Sequence, residues 1–105
     1  MKHDSGLSDD VENRIKEVFS RFPEVGQVLL YGSRAKGNYR KGSDIDLTLI
    51  AQEGKILNLD LVYAVDDALD ELLLPYTFDL SIFPDIDNPN LVDHIQRVGV
   101  VFYQK

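Results

Sequence analysis

An apolar run, Val28-Leu29-Leu30-Tyr31, stops at Gly32-Ser33, and ten residues later the chain opens into Asp44-Ile45-Asp46-Leu47-Thr48-Leu49. The second stretch alternates with a period of two, which marks a strand because successive side chains point to opposite faces. Ile45, Leu47 and Leu49 therefore turn toward a core, while Asp44 and Asp46 project together from the other face. The run before Gly32 reads as a second, largely buried strand. Between them lie three glycines and the basic residues Arg34, Lys36, Arg40 and Lys41. That composition predicts a glycine turn, one helical turn at most, and an exposed loop.

The remaining elements follow from periodicity and punctuation. Ser8 is an N-cap candidate, with Asp9, Asp10 and Glu12 at the positive end of a helix over 9–22 that Pro23 ends. Leu61, Val62, Val65, Ala68, Leu69, Leu72 and Leu73 recur at helical spacing and are closed by Pro75. Phe78, Leu80 and Ile82 alternate with Asp79 and Ser81, which predicts a strand over 77–83. Residues 84–89 are a turn-rich connection, Leu91 through Val98 a short helix with Gly99 behind it, and 100–103 a last strand. Residues 1–7 read as a loose leader to a single domain over 1–105. The expected fold is α+β, a small mixed β-sheet with helices packed mainly on one face.

Composition narrows the function classes. The 105 residues contain no cysteine, which removes disulfides and thiolate chemistry and fits a cytoplasmic setting. No apolar run reaches the ~18 residues needed to span a bilayer, so no membrane association is expected. A net charge of −7 repels a polynucleotide backbone, so direct nucleic-acid binding is not expected. The basic residues of the spacer instead suggest a local positive rim for a small phosphate ligand.

Two carboxylates on one strand face suit a hard divalent cation such as Mg²⁺, which favours oxygen ligands and keeps waters that a phosphate can displace. A bare Asp-X-Asp is more often a pair of exposed acids, and a bare Gly-Ser is more often a turn. Together they are more informative, since Gly32 permits φ > 0 and the amides after it form an anion-binding concavity to which Ser33 adds a hydroxyl. Asp79 faces away from the core on its own strand. If that strand lies beside the one carrying Asp44 and Asp46, three carboxylates reach one patch, enough for two metal ions or for two metals and a base. By pattern alone Asp79 is equally a surface acid.

Gly32-Ser33, ten intervening residues and Asp44-Ile45-Asp46, with a later strand aspartate, resemble the signature of the DNA polymerase β-type nucleotidyltransferase superfamily. The size of the chain resembles its minimal nucleotidyltransferase (MNT) branch. The resemblance implies that Gly32 and Ser33 contact the triphosphate of a nucleoside triphosphate, with ATP the expected nucleotide. Arg34 and Lys36 are further phosphate contacts under this reading. Asp44, Asp46 and Asp79 are then the catalytic residues and metal ligands for Mg²⁺, with two ions expected when substrate is bound.

The implied reaction is transfer of a nucleoside monophosphate to an acceptor hydroxyl. The chain has no segment expected to grip an acceptor, which points to a partner protein or a homo-oligomer. By resemblance the partner is a helical HEPN-type protein, and this chain the antitoxin of a HEPN/MNT-type toxin–antitoxin pair. A second class of function is a nucleotide-binding antitoxin that acts sterically with little catalysis. His94 is expected at the surface, Tyr39 exposed in the loop, and Tyr31, Tyr63 and Tyr76 in packing.

Overall fold

In the computed structural model residues 5–105 are described, and they order as α1 (Asp9–Ser20), β1 (Val25–Tyr31), α2 (Ser33–Lys36), β2 (Ile45–Ala51), α3 (Leu59–Asp70), β3 (Phe78–Ile82), a 3₁₀ turn (Phe83–Asp85), α4 (Pro89–Val98) and β4 (Val100–Gln104). The strands form one sheet in the order β3-β2-β1-β4. β1 pairs antiparallel with both β2 and β4, while β2 and β3 are parallel, so the sheet is mixed. A parallel pair needs a crossover, and α3 supplies it.

The alternation of β2 becomes a burial pattern. Ile45, Leu47 and Leu49 are fully buried, and they join Val28, Leu30 and Phe102 with Ile15, Val18 and Phe19 of α1 and Val65 and Leu69 of α3. At about 25 cal/mol per Å² of apolar surface, each such aliphatic side chain contributes about 1.5–3 kcal/mol when fully buried. α1 and α3 also touch each other, and α4 lies against β1, where Ile95 is buried outside the main apolar cluster. This is the α+β arrangement expected from the sequence.

Element ends moved by two or three residues, for local reasons. α1 stops at Ser20, with the Arg21 and Phe22 amides bonded to Val18 and Phe19 carbonyls in a tighter last turn. α3 begins at Leu59 because the Asn58 side chain accepts the Leu61 amide at 2.9 Å. It ends at Asp70, and Leu73 leaves the helix altogether, at φ 55° and 89% exposed. α4 starts at Pro89 behind an Asn88 cap, the first-turn position where a missing N–H costs nothing. β1 begins at Val25, three residues earlier than its apolar run.

The leader needs correction at its near end. Ser5 and Leu7 are buried, and the Ser5 hydroxyl donates to the buried Glu12 carboxylate at 2.5 Å. The Leu7 amide returns to the Ser5 oxygen at 3.3 Å. Residues 5–7 are thus packed against α1, while the first four residues of the expected leader, with His3, lie outside the described residues. Among the described residues no helix is long and apolar enough to cross a membrane.

Candidate active site

The turn after β1 is built around Gly32, which sits at φ 75° and caps the one-turn helix α2. Its carbonyl accepts the amides of Ala35 at 3.2 Å and Lys36 at 3.1 Å. Gly37, at φ 86°, ends α2, and its amide and that of Asn38 both return to the Ser33 carbonyl. The turn is hydrogen-bonded at both ends. Ser33 is half-buried at its head and Lys36 is exposed at its tail.

Register places the acids. Asp46 is the antiparallel partner of Tyr31, the residue before Gly32, and the parallel partner of Asp79. Neighbouring strands lie about 4.8 Å apart, so Tyr31, Asp46 and Asp79 form a row across three strands on the face away from the main core. Asp44 precedes β2 by one residue and is exposed, as is Asp79. A Cβ placed on Gly32 would run into the Asp46 carboxylate, so the glycine turn and the acidic row are in contact through that position.

Electrostatics agree with this proximity. Burial pushes the Asp46 carboxyl up to about 6, and the charges of Asp79 and then Asp44 add to the rise. The Tyr31 phenol is also raised, mainly by burial; a hydrogen bond with the Ser81 side chain opposes the shift, and Asp79 and Asp46 reinforce it. One strand step along, the Ser81 hydroxyl donates to Thr48 Oγ1 at 2.9 Å, which satisfies a fully buried polar side chain.

Three carboxylates with mutual repulsion are a donor set suited to a hard cation. Among the described residues no group of three or more His, Cys, Asp or Glu side chains is arranged to hold a metal as it stands. The pairing of Asp46 with Asp79 is fixed by the sheet, whereas Asp44 and Asp79 are exposed and can turn toward it. The residues fit a divalent cation in chemistry, with rotation of exposed side chains as the remaining requirement.

Arg34 departs from its expected place beside phosphate. It is 2% exposed, and its Nε and Nη2 donate to the Ser43 carbonyl at 3.2 and 3.0 Å while Nη1 donates to the Ser5 carbonyl at 3.1 Å. The guanidinium also lies over the Tyr39 and Tyr76 rings, 5.3 and 5.0 Å from their centroids. It therefore braces α2 against the residue preceding Asp44, and Tyr39 is half-buried beside it. Lys36, Arg40 and Lys41 are the exposed cations of this segment. Tyr63, expected in packing, is instead 61% exposed.

His94 was not foreseen as part of the site. It is half-buried on α4, its Nε2 accepts the Gly32 amide at 3.2 Å, and its ring meets Tyr31 edge-on, with centroids 6.2 Å apart. The signal was present: Leu91, His94, Ile95 and Val98 share one helical face by their 0, 3, 4, 7 spacing.

The fold has counterparts among known proteins. The fold matches a toxin–antitoxin structure with AMP-PNP at TM-score 0.71 and 21% identity, covering 90% of this chain and 73% of that one. It matches the complex of a tri-AMPylated Shewanella oneidensis HEPN toxin with its MNT antitoxin at TM-score 0.67 and 18% identity, covering 94% of this chain and 74% of that one. A protein described as a minimal nucleotidyltransferase matches at TM-score 0.65 and 26% identity, over 88% of this chain and 92% of its own. Among curated proteins none matches the sequence. The profile of the family described as polymerase beta, nucleotidyltransferase matches residues 13–105, and the chain belongs to that nucleotidyltransferase family.

Proposed function

We propose that this protein transfers AMP from ATP to a hydroxyl on a helical HEPN-type partner, as the antitoxin of a toxin–antitoxin pair. The observation that carries the reading is the register pairing of Asp46 with Asp79 immediately beside the Gly32 turn. Phosphate-binding and acid-bearing elements meet there, as an in-line displacement on a nucleotide requires. The AMP-PNP and tri-AMPylated toxin of the structural neighbours support the nucleotide and the type of acceptor.

In this reading the Ser33 hydroxyl and the amides at the head of α2 hold the triphosphate, and Lys36 neutralises it from the rim. Asp79 orients the acceptor hydroxyl and takes its proton. The hydroxyl oxygen bonds to the α-phosphorus, the bond from that phosphorus to the bridging oxygen breaks, and pyrophosphate leaves with the electron pair. Asp44, Asp46 and Asp79 would hold Mg²⁺, which supplies charge neutralisation at the phosphate when bound. Cytoplasmic action and pairing with a second chain, identical or not, belong to the same proposal.

The alternative is an antitoxin that binds its partner sterically with little turnover. Incubation with Mg²⁺, labelled ATP and a HEPN-type helical protein separates the two. Transfer predicts a labelled partner, abolished by Asp44→Asn or Asp46→Asn together with protection from the toxin. Protection that survives both substitutions without label would sustain the steric reading.

A further inference from the structure

We propose that His94 is a positioning residue for the phosphate turn, a role that rests on the nucleotidyltransferase reading above. Gly32 carries two demands. Its amide begins a residue at φ 75°, and the Gly32 carbonyl that follows must face α2 to accept Ala35 and Lys36. α2 fixes the carbonyl side of Gly32. The amide side is fixed from outside the turn, by His94 Nε2 at 3.2 Å, 62 residues away in sequence.

The accepting nitrogen must be unprotonated, so the ring proton of the neutral imidazole lies on Nδ1. The edge-on contact with Tyr31, at an interplanar angle of 79°, orients the ring for this bond. Ile95, the next residue, is buried and holds α4 against the sheet, which keeps the His94 backbone beside the turn. Through one bond α4 therefore sets the rotation of the peptide that aims Ser33 at its ligand. It also keeps Gly32 seated over the Asp46 carboxylate, whose metal and phosphate duties share that corner.

A glycine at positive φ with extended ψ, as Gly32 is at φ 75° and ψ −155°, is the residue most free to rotate, because it lacks the Cβ that restricts other residues. Losing the acceptor removes the only hydrogen bond to the Gly32 amide that the described residues show, and the turn then samples other orientations. The expected consequence is weaker nucleotide binding with chemistry preserved once nucleotide is bound. His94 itself touches no reacting atom in this account.

The test compares wild type, His94→Ala and His94→Gln, reading Gly32 amide hydrogen exchange, MgATP affinity by titration, and the rate of AMP transfer at saturating ATP. A hydrogen bond of ordinary strength predicts Gly32 exchange faster by about 3- to 10-fold in His94→Ala, with a similar loss of MgATP affinity. The saturated rate should change less than about twofold, since the bond is made equally in ground and transition states. In His94→Gln the amide oxygen falls close to the place of Nε2, so both exchange and affinity should recover. Unchanged Gly32 exchange in His94→Ala, or a glutamine variant no better than alanine, overturns the proposal even if the wild type transfers AMP normally. A wild type that binds no MgATP refutes the nucleotidyltransferase reading instead, and the exchange arm still decides whether His94 holds the turn.

Discussion

Gly32 and Asp46 meet where the glycine turn crosses the acidic row, with no room between them for a methyl group. The contact joins two constraints in one residue, a backbone at φ 75° and a close approach to a carboxylate. Gly32→Ala should therefore be damaging on both counts. A backbone at φ 75° and ψ −155° costs about 1–3 kcal/mol for a residue with a side chain, and displacement of Asp46 adds to it. Thermal unfolding should show the loss, and transfer should fall by about 100-fold or more, as for a misplacement of about 1 Å at a reacting centre. An alanine variant of normal stability and activity would mean that the turn and the acid are not in contact.

Asp46 predicts a pH signature. Its carboxyl is lifted from 3.8 to about 6, first by burial and then by Asp79 and Asp44. A raised carboxyl binds its proton more tightly in the native state than in the unfolded one. Its stabilising contribution is full below the unfolded value of 3.8 and is lost as pH rises through about 6. Asp46→Asn does not titrate, so its melting temperature relative to wild type should climb between about pH 4 and pH 7 and then level off. Mg²⁺ should narrow the difference at high pH by stabilising wild type alone. A difference that stays flat with pH would contradict the assigned environment.

Much of this was legible before the structure, and the parts that were not share a cause. The alternation of Ile45, Leu47 and Leu49 specified both the strand and the face of Asp46, because a period of two is a local property. The pairing of Asp46 with Asp79 was only a condition, since strand order depends on how α3 crosses over. Arg34 illustrates the limit most clearly. A basic residue next to a glycine turn reads as a phosphate ligand, and nothing near it in sequence announces that Ser5, Ser43 and Tyr76 will enclose it. His94 was concealed differently: its helical spacing matched its buried neighbours, but a polar residue on a short helix reads as solvent-facing. Leu73 failed in the opposite direction, as an apolar residue at helical spacing that the early helix end left in solvent.

The reassignment of Arg34 leads to its own test. Three donor contacts to two carbonyls hold α2 against the residue before Asp44 and against the N-terminal segment. Arg34→Ala should lower unfolding free energy by about 2–4 kcal/mol, the range for losing charge-assisted hydrogen bonds at a buried position. Arg34→Lys should recover less than half of that, because an ammonium lacks the planar fork that serves both carbonyls. Urea denaturation of the three proteins checks it. A phosphate ligand would behave otherwise, with stability unchanged and only nucleotide affinity reduced.

The acidic row with the Gly32 turn is proposed to transfer a nucleotide and not a terminal phosphate. ATP labelled at the α-phosphate and ATP labelled at the γ-phosphate decide it when each is incubated with Mg²⁺ and the HEPN-type partner. Nucleotide transfer attaches the α-label to the partner and releases the γ-label as pyrophosphate, and Asp46→Asn should stop both. Attachment of γ-label to the partner while α-label remains in a free nucleotide would contradict it.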